Sequence, residues 1–191
     1  MSDRARLARL LVERSIRRGD FILASGARSS YYVDCRTATM SAEGQFLVGE
    51  LGRELLRASG LEPEAIGGLT MGADPVAYAI AHTSWIAGAP LDAFSVRKQP
   101  KDHGTARRIE GNFAAGRRVV VIEDVITSGG SALQACEVVE AEGGIVLGVL
   151  AIIDRESGGR EAIEARGYRV ITLFRVSELL AHPDAQTAAA G

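Results

Sequence analysis

One segment near the middle of the chain constrains the fold most strongly. The apolar run Val119–Ile122 is long enough for one buried strand, and two adjacent carboxylates, Glu123 and Asp124, follow it. A short turn of Thr, Ser and Gly residues comes next, over Thr127–Ser131, and a helix-like segment opens there. The pattern predicts a strand held in a rigid sheet, a tight loop, and a helix that begins at the loop.

This segment combines an anion site with a hydroxyl site. Small residues let several backbone N–H groups converge on one anion, and the new helix adds the positive end of its dipole. The carboxylates repel a phosphate, but they accept hydrogen bonds from sugar hydroxyls or lie near a hydrated Mg²⁺. The combination indicates a site for a ribose 5-phosphate. An ordinary strand–turn–helix connection is the simpler alternative.

The same residues resemble the phosphoribosyl pyrophosphate (PRPP) motif of the type I phosphoribosyltransferases. Other glycine-rich loops fit worse, since the chain has neither G-x-x-x-x-G-K-[S/T] nor G-x-G-x-x-G between a strand and a helix. The resemblance implies that the ribose hydroxyls of PRPP meet Glu123 and Asp124. It also implies that PRPP is bound by the loop that follows, made of Val125, Ile126, Thr127, Ser128, Gly129, Gly130 and Ser131.

Bulk properties bound the class of protein. The 191 residues suffice for one domain with a substantial core, and the net charge of -2 argues against a nucleic-acid binder. The sequence shows no apolar stretch of membrane-spanning length and no secretory signal, so a cytoplasmic protein that needs no membrane is expected. Cys35 and Cys136 offer neither a disulfide framework nor a metal-ligand spacing, so no protein metal site is predicted.

Alternating strand and helix patterns predict an α/β fold with a mainly parallel central sheet flanked by helices. The expected strands are Phe21–Leu23, Tyr31–Cys35, Ala65–Leu69, Leu91–Val96, Val119–Ile122, Ile145–Ile153 and Tyr168–Leu173. The expected helices are Arg4–Arg18, Ser41 (as N-cap) to Ala58, Asp74–Trp85, Gly130–Glu142 and Arg160–Arg166. A single domain is expected over 1–191, with an amino-terminal segment at about 1–40, a core at about 41–175 and a frayed tail at 184–191.

A second cluster of charged residues lies in the polar stretch after the strand that ends at Val96. Arg97, Lys98, Lys101 and His103 fall within seven positions, and the Pro and Gly among them argue against a helix. Such a loop is commonly only solvated surface. Beside a PRPP site, it would instead neutralise the charge that grows on departing pyrophosphate, and it would exclude water.

The order Arg-Lys-x-x-Lys-Asp-His-Gly resembles the catalytic loop of the orotate phosphoribosyltransferases. The resemblance implies that Arg97, Lys98, Lys101 and His103 bind the pyrophosphate of PRPP, and that Lys101, His103, Lys98 and Asp124 are catalytic. In that family the loop reaches into the neighbouring subunit's site, so a homodimer that shares the basic loop is implied. Mg²⁺ is the implied cofactor, largely hydrated, on the pyrophosphate and ribose oxygens.

Two further segments carry the resemblance. Phe21–Asp34 is similar to the family's amino-terminal hood, which packs near the base; a small β-hairpin with buried tyrosine rings is the alternative. Arg155, which follows Asp154 at the end of a predicted strand, matches the family's orotate-binding arginine, which can meet a planar carboxylate with two parallel hydrogen bonds. Thr127 is also expected to contact the orotate base.

The segment Gly67–Asp74 resembles the family's pyrophosphate-cradling loop. Gly72 and the first N–H groups of the next helix would cap an anion, but a turn glycine and an N-cap at Asp74 explain the pattern equally well. The chain also departs from some family members, because Ala24 and Ala73 stand where those members carry lysine. Contacts in both regions are therefore expected from backbone groups.

The resemblance implies transfer of a 5-phosphoribosyl group from PRPP to N1 of orotate. Because orotate already carries a carboxylate and an acidic ring nitrogen, the reaction would need positioning and charge stabilisation but no protein nucleophile. Three alternatives stay open: a sister transferase for a purine or uracil, a PRPP-sensing regulator, and a non-catalytic partner subunit. Arg155 and the basic loop argue against the first, the net charge against the second, and the intact acidic pair against the third.

Overall fold

Strands and helices alternate through residues 1–22, 28–99 and 108–187, which the computed structural model describes. The strands are β1 (Ile16–Ile22), β2 (Arg28–Val33), β3 (Ala65–Leu69), β4 (Asp92–Val96), β5 (Ile109–Gly111), β6 (Arg118–Ile126), β7 (Ile145–Asp154) and β8 (Val170–Arg175). The helices are α1 (Asp3–Ser15), α2 (Arg36–Thr39), α3 (Ala42–Ser59), α4 (Ala73–Ile86), α5 (Gly130–Ala141), α6 (Gly159–Glu164), α7 (Val176–Leu180) and α8 (Pro183–Thr187).

Six of these strands form the central sheet, in the order β5-β4-β3-β6-β7-β8. The neighbouring pairs β4–β3, β3–β6, β6–β7 and β7–β8 are parallel. Strand β5 pairs antiparallel with β4 at one edge. A separate antiparallel hairpin is made by β1 and β2. The mainly parallel sheet and the amino-terminal hairpin confirm the predicted fold class. In such a sheet the carboxyl ends of β3, β6 and β7 meet at one edge, where ligands bind.

Successive residues of β6 pack on opposite faces of the sheet. Val119 and Val121 are buried with the cluster that contains α5, whereas Val120 and Ile122 are buried with the cluster that contains α1, α3 and α4. Successive side chains of a strand point to opposite faces, which explains this division. Burial of each such side chain contributes about 1.5–3 kcal/mol. The strand is therefore fixed from both sides up to its carboxylates.

Local signals predicted α3 and β3 well. The side chain of Ser41 accepts a hydrogen bond from the N–H of Gly44 at 3.1 Å, as an N-cap does. Gly60, which ends the helix, has a φ of 71°, a conformation that glycine adopts without a Cβ clash. The bounds of β3 agree with the prediction.

The amino-terminal hairpin corrects three predicted boundaries. The first helix ends at Ser15 rather than Arg18, because Ile16 already pairs with Val33 in the hairpin. The first strand is longer than Phe21–Leu23, and the second starts at Arg28 and ends at Val33, before Cys35. Strands held by backbone pairing with mostly exposed side chains lack the apolar pattern used to predict them. The Ser25–Gly26 turn lies outside the described residues.

The tail is ordered further than predicted. Residues from 184 were expected to fray, but Pro183–Thr187 form α8, and Ala185 is buried with the core cluster that contains α1. Arg18 also donates hydrogen bonds to the carbonyls of Leu180 and Ala185, at 3.0 and 3.1 Å. These contacts attach the tail to the hairpin and the first helix. None of the described helices is long and apolar enough to cross a membrane.

Candidate active site

A cavity of about 550 Å³ lies at the carboxyl ends of β3, β4, β6 and β7, with β2 and α2 on its remaining side. A smaller cavity of about 100 Å³ adjoins it beneath the first turn of α5. The larger cavity brings together these predicted residues: Lys98, Glu123, Asp124, Val125, Thr127, Ser128, Ser131 and Arg155. The smaller one is lined in part by Ile126, Gly129 and Gly130.

The two carboxylates belong to the strand itself. The sequence predicted that the strand ends at Ile122, but β6 continues to Ile126, and that residue still pairs with Asp154 of β7. Acidic residues are uncommon in strands, which is why the prediction stopped early. The extension fixes the backbone of Glu123 and Asp124 by sheet pairing rather than by a loop.

Burial shifts the protonation of both carboxyl groups. Burial raises the pKa of Glu123 from 4.5 to about 9; the Asp124 carboxylate adds to this effect and the Lys98 ammonium opposes it. The pKa of Asp124 is also raised by burial, although the N–H of Val125 donates to its carboxylate at 2.9 Å and the Arg36 charge favours ionisation. Glu123 in the ligand-free protein therefore holds its proton to a higher pH than an exposed glutamate does.

Glu123 also has spare hydrogen-bonding capacity. Within the part of the chain that the structure describes, its buried Oε2 has no hydrogen-bond partner. A buried polar atom left unpaired costs about 1–3 kcal/mol. A hydroxyl group or a hydrated cation brought into the cavity would satisfy this oxygen.

The loop between β6 and α5 has the shape of an anion site. Gly129 has a φ of 79° and comes directly before Gly130, the first residue of the 12-residue helix α5. The first N–H groups of a helix have no carbonyl four residues earlier to bond to, and they carry the positive end of the helix dipole. The small cavity lies against this turn, as expected for the 5-phosphate site.

A second loop, after β3, contacts Asp124 directly. A Cβ added to Gly72 would lie 2.7 Å from Oδ1 of Asp124, so a larger residue would push the carboxylate away. Of the two alternatives for this loop, the N-cap at Asp74 is wrong, because α4 begins at Ala73. The Asp74 carboxylate instead accepts hydrogen bonds from the hydroxyls of Thr70 and Ser95. These bonds attach the loop to the start of α4 and to β4.

The basic loop is described only at its two ends. Lys98 lines the large cavity with the carboxylates. Arg97 lies outside that cavity, with its Nη1 3.5 Å from Oε1 of Glu110. Lys101 and His103, the residues expected to be most sensitive, lie outside the described residues.

Arg155 lines the same cavity and directly follows the last residue of β7. Its backbone N–H donates to the carbonyl of Ile126 at 2.9 Å, and the residue is only 7% exposed. The guanidinium donates to the hydroxyl of Ser29 at 3.3 Å and lies over the ring of Tyr31, 4.9 Å from its centre. Within the described ranges, its buried Nε has no hydrogen-bond partner.

Three further residues line the cavity wall: Tyr32 and Asp34, which the sequence placed near the base only as part of the segment Phe21–Asp34, and Arg36, which sequence reasoning missed. Arg36 donates to both carboxylate oxygens of Asp34 at 2.8 Å, and these bonds lower the pKa of Asp34. The spacing of an acid and an arginine two residues apart was visible in the sequence. It carried no signal, because such pairs are common on surfaces.

Comparison with other sequences gives a consistent set of relatives. No protein-family model matches the chain. The orotate phosphoribosyltransferase of Aquifex aeolicus is 48% identical over 183 residues, which cover 94% of this chain and 99% of the relative. The orotate phosphoribosyltransferase of Rhodopseudomonas palustris is 44% identical, with 94% and 97% covered.

Solved structures lead to the same group. The orotate phosphoribosyltransferase of Mycobacterium tuberculosis H37Rv in complex with Fe(III) dicitrate matches with a TM-score of 0.83 at 46% identity, over 93% of this chain and 99% of that chain. The same enzyme in complex with PRPP matches with a TM-score of 0.80 at 43% identity, with 93% and 99% covered. In sequence and in fold, the chain therefore belongs to the orotate phosphoribosyltransferase family.

Proposed function

We propose that this protein transfers the 5-phosphoribosyl group from PRPP to N1 of orotate, giving orotidine 5′-monophosphate and pyrophosphate in the synthesis of UMP. The Mycobacterium tuberculosis relative, which is 43% identical to this chain, has been solved in complex with PRPP. The observation that carries the proposal is the content of one cavity: the acidic pair of buried Glu123 and half-buried Asp124, a helix-start loop and a buried arginine. Each matches one chemical part of the two substrates.

Glu123 and Asp124 hold the ribose hydroxyls. The unpaired Oε2 of Glu123 supports this role, because a hydroxyl donor would satisfy it. The loop from Val125 to Ser131 binds the 5-phosphate through its backbone N–H groups at the start of α5. Fixed positions of both parts hold the ribose with its C1 carbon facing the pyrimidine.

The pyrimidine end uses Arg155 and Thr127. A guanidinium presents two parallel N–H groups, which match the two oxygens of the orotate carboxylate. The buried Nε of Arg155 supports this assignment, since it has a hydrogen left to donate within the described residues. Uracil and the purines lack the carboxylate, so this contact favours orotate over them.

The pyrophosphate end uses Lys98, Lys101 and His103, with Arg97 at the base of the loop. Negative charge grows on the leaving oxygens as the bond at C1 breaks, and cationic donors stabilise it. Lys98 supports this role, because it lines the cavity and acts on the charge of Glu123. Since orotate supplies its own nucleophilic nitrogen, the protein contributes position and charge and forms no covalent bond.

The acidic pair suits a hydrated Mg²⁺. Among the residues that the structure describes, no group of three or more His, Cys, Asp or Glu could hold a metal ion. Mg²⁺ commonly keeps several waters and takes only one or two carboxylates together with substrate phosphates. Glu123 and Asp124 would hold the ion, directly or through water. Bound there, it would neutralise part of the charge of PRPP.

The functional unit in this proposal is a homodimer that shares the basic loop between subunits. Helix α4 supports this part, because it exposes Tyr78, Trp85 and Ile86, and the neighbouring α3 exposes Phe46. Exposed apolar patches of this kind mark interaction surfaces, and a second copy is the partner that the shared loop requires. We further propose a single domain over residues 1–191 and a cytoplasmic location.

Sedimentation tests the dimer. Trp85→Asp places a charge in the exposed patch and is expected to shift the protein toward the monomer. Ile145→Asp is the matched control, since Ile145 is also an exposed large apolar residue but lies at the start of β7. Equal behaviour of both variants would remove the support that α4 gives.

Turnover tests the reaction itself. Protein, PRPP, Mg²⁺ and orotate are mixed and the loss of orotate absorbance is followed, with uracil, adenine and hypoxanthine run in parallel. We expect turnover with orotate only. Turnover with another base alone would overturn the assignment of Arg155 to the carboxylate. No turnover with any base, together with measurable PRPP binding, would place the protein among PRPP-sensing regulators.

A further inference from the structure

The backbone and the side chain of Arg155 are held by different parts of the molecule. The backbone belongs to the core: its N–H donates to Ile126, and the preceding Asp154 pairs with Arg160 at 2.7 Å. The side chain leaves the core and contacts the hairpin of β1 and β2. Its partners there are Ser29 and Tyr31, which lie on β2.

Ser29 is oriented to receive the guanidinium. Its hydroxyl donates its hydrogen to the carbonyl of Tyr31 at 2.7 Å. A serine hydroxyl has one hydrogen and two lone pairs, so toward Arg155 it acts as an acceptor. Arg155 Nη2 donates to it at 3.3 Å, which fits that direction.

Tyr31 supplies the second contact. The guanidinium carbon lies 4.9 Å from the centre of the ring, within the range of a cation–π interaction. Residues 29 and 31 share one face of β2 by the two-residue period of a strand, whereas the intervening Ser30 is exposed on the other face. Ring and hydroxyl therefore act together on one side chain.

The effect is to hold the arginine in one orientation before a ligand arrives. A free arginine side chain has much rotamer freedom, and ordering it on binding lowers affinity. A guanidinium with one face on a ring and one N–H on a hydroxyl has lost that freedom already. Its Nε is buried and has no hydrogen-bond partner within the described residues, so one donor of the guanidinium is still unpaired.

We propose that Ser29 and Tyr31 are positioning residues, which hold the Arg155 guanidinium in the orientation that binds the orotate carboxylate. The hairpin then sets the affinity for the pyrimidine, while the core sets the affinity for PRPP. This inference rests on the proposed contact between Arg155 and orotate.

Steady-state kinetics of the full-length protein test it. Tyr31→Leu is expected to raise KM for orotate about 5- to 30-fold, as for loss of a desolvated cation–π contact, and to leave kcat and KM for PRPP within about twofold. Tyr31→Phe keeps the ring and is expected to behave like the parent. Ser29→Ala, a milder change, is expected to raise KM for orotate about 2- to 10-fold.

Matched controls separate position from general damage. Ser30→Ala makes the same change on the opposite face of β2. Tyr168→Leu removes a partly buried tyrosine that packs on the other core cluster. Both are expected to leave KM for orotate within about twofold. A Tyr31→Phe variant as impaired as Tyr31→Leu, or an equal rise in KM for PRPP, would overturn the inference.

A double-mutant cycle distinguishes this inference from the proposal on which it rests. In an Arg155→Ala background, Tyr31→Leu should change KM for orotate less than about twofold further. If Arg155→Ala itself leaves KM for orotate unchanged, the orotate contact is wrong. If Arg155→Ala raises it while Tyr31→Leu and Ser29→Ala do not, the contact stands and the positioning role is wrong.

Discussion

The proposed ribose end of the cavity comes from one continuous stretch of chain, β6 and the loop to α5. The proposed pyrimidine end joins two segments, at Ser29 and Arg155, that are 126 positions apart in sequence. Glu123 and Asp124 are fixed by a strand that is packed on both faces. Arg155 is fixed in the core but oriented by a hairpin with mostly exposed side chains. The comparison suggests that PRPP binding and pyrimidine recognition can be disturbed separately.

The largest expected effect is at the ribose end. Asp124→Asn keeps the shape of the side chain but removes its charge, and kcat/KM for PRPP should fall by a factor on the order of 10²–10³, as for loss of one preorganised catalytic group. Steady-state kinetics at saturating orotate measure it. Asp20→Asn, an exposed position on β1, is the matched control. A fall of less than about threefold in kcat/KM for PRPP would contradict the role of Asp124.

Gly72→Ala tests whether the geometry of this end is as tightly set as the packing implies. The new Cβ would lie 2.7 Å from Asp124 Oδ1, and kcat/KM for PRPP should fall about 10- to 100-fold, as for an ångström-scale misplacement. The φ of -62° at this residue suits alanine, so thermal unfolding should change little. A fall in melting temperature that accounts for the loss of activity would point to damage of the fold instead.

Arg155→Lys addresses the pyrimidine end alone. Lysine keeps the charge but lacks the planar fork, so KM for orotate should rise about tenfold while KM for PRPP stays the same. Initial rates with each substrate varied in turn measure both constants. Equal increases in the two constants would remove the separation between the two ends.

The last expected effect is on stability rather than on activity, and it concerns Glu123. Its pKa is raised from 4.5 to about 9 by burial, so between these pH values the folded protein holds a proton that the unfolded chain has lost. The free energy of unfolding therefore falls as pH rises through this window, by up to about 1.4 kcal/mol per pH unit. Glu123→Gln should remove this part of the slope in denaturant titrations at several pH values.

A matched comparison makes the pH result specific. Glu62→Gln changes an exposed glutamate between α3 and β3, and it should leave the slope as it is in the parent. Identical slopes for the parent and Glu123→Gln would show that Glu123 is ionised in the folded protein.

Local patterns predicted the ribose end better than the pyrimidine end. The strand, the turn of small residues and the start of α5 are consecutive in sequence, so their arrangement follows from strand and helix signals. The contact between Arg155 and Ser29 depends on how the hairpin lies against the core, which no local pattern encodes. Arg36 was missed for the same reason, since only the fold brings it to the cavity wall beside Asp34.

Two predicted features failed because local and long-range preferences disagree. The acidic pair was expected to follow the strand, because carboxylates are poor strand formers. Pairing with β7 instead extends β6 past both residues. The tail was expected to fray, because alanine-rich ends bury little, but Ala185 packs against the core. In both cases partners distant in sequence decide the structure.

The close approach of Gly72 to Asp124 means that part of this site depends on a side chain that is missing. Position 72 has no functional group, but the space that its side chain would need is already filled by the carboxylate of Asp124. A mutational scan would therefore mark Gly72 as essential although it performs no chemistry. In a redesign of this site, the side chains at positions 72 and 124 compete for the same space, so the two positions must be changed together.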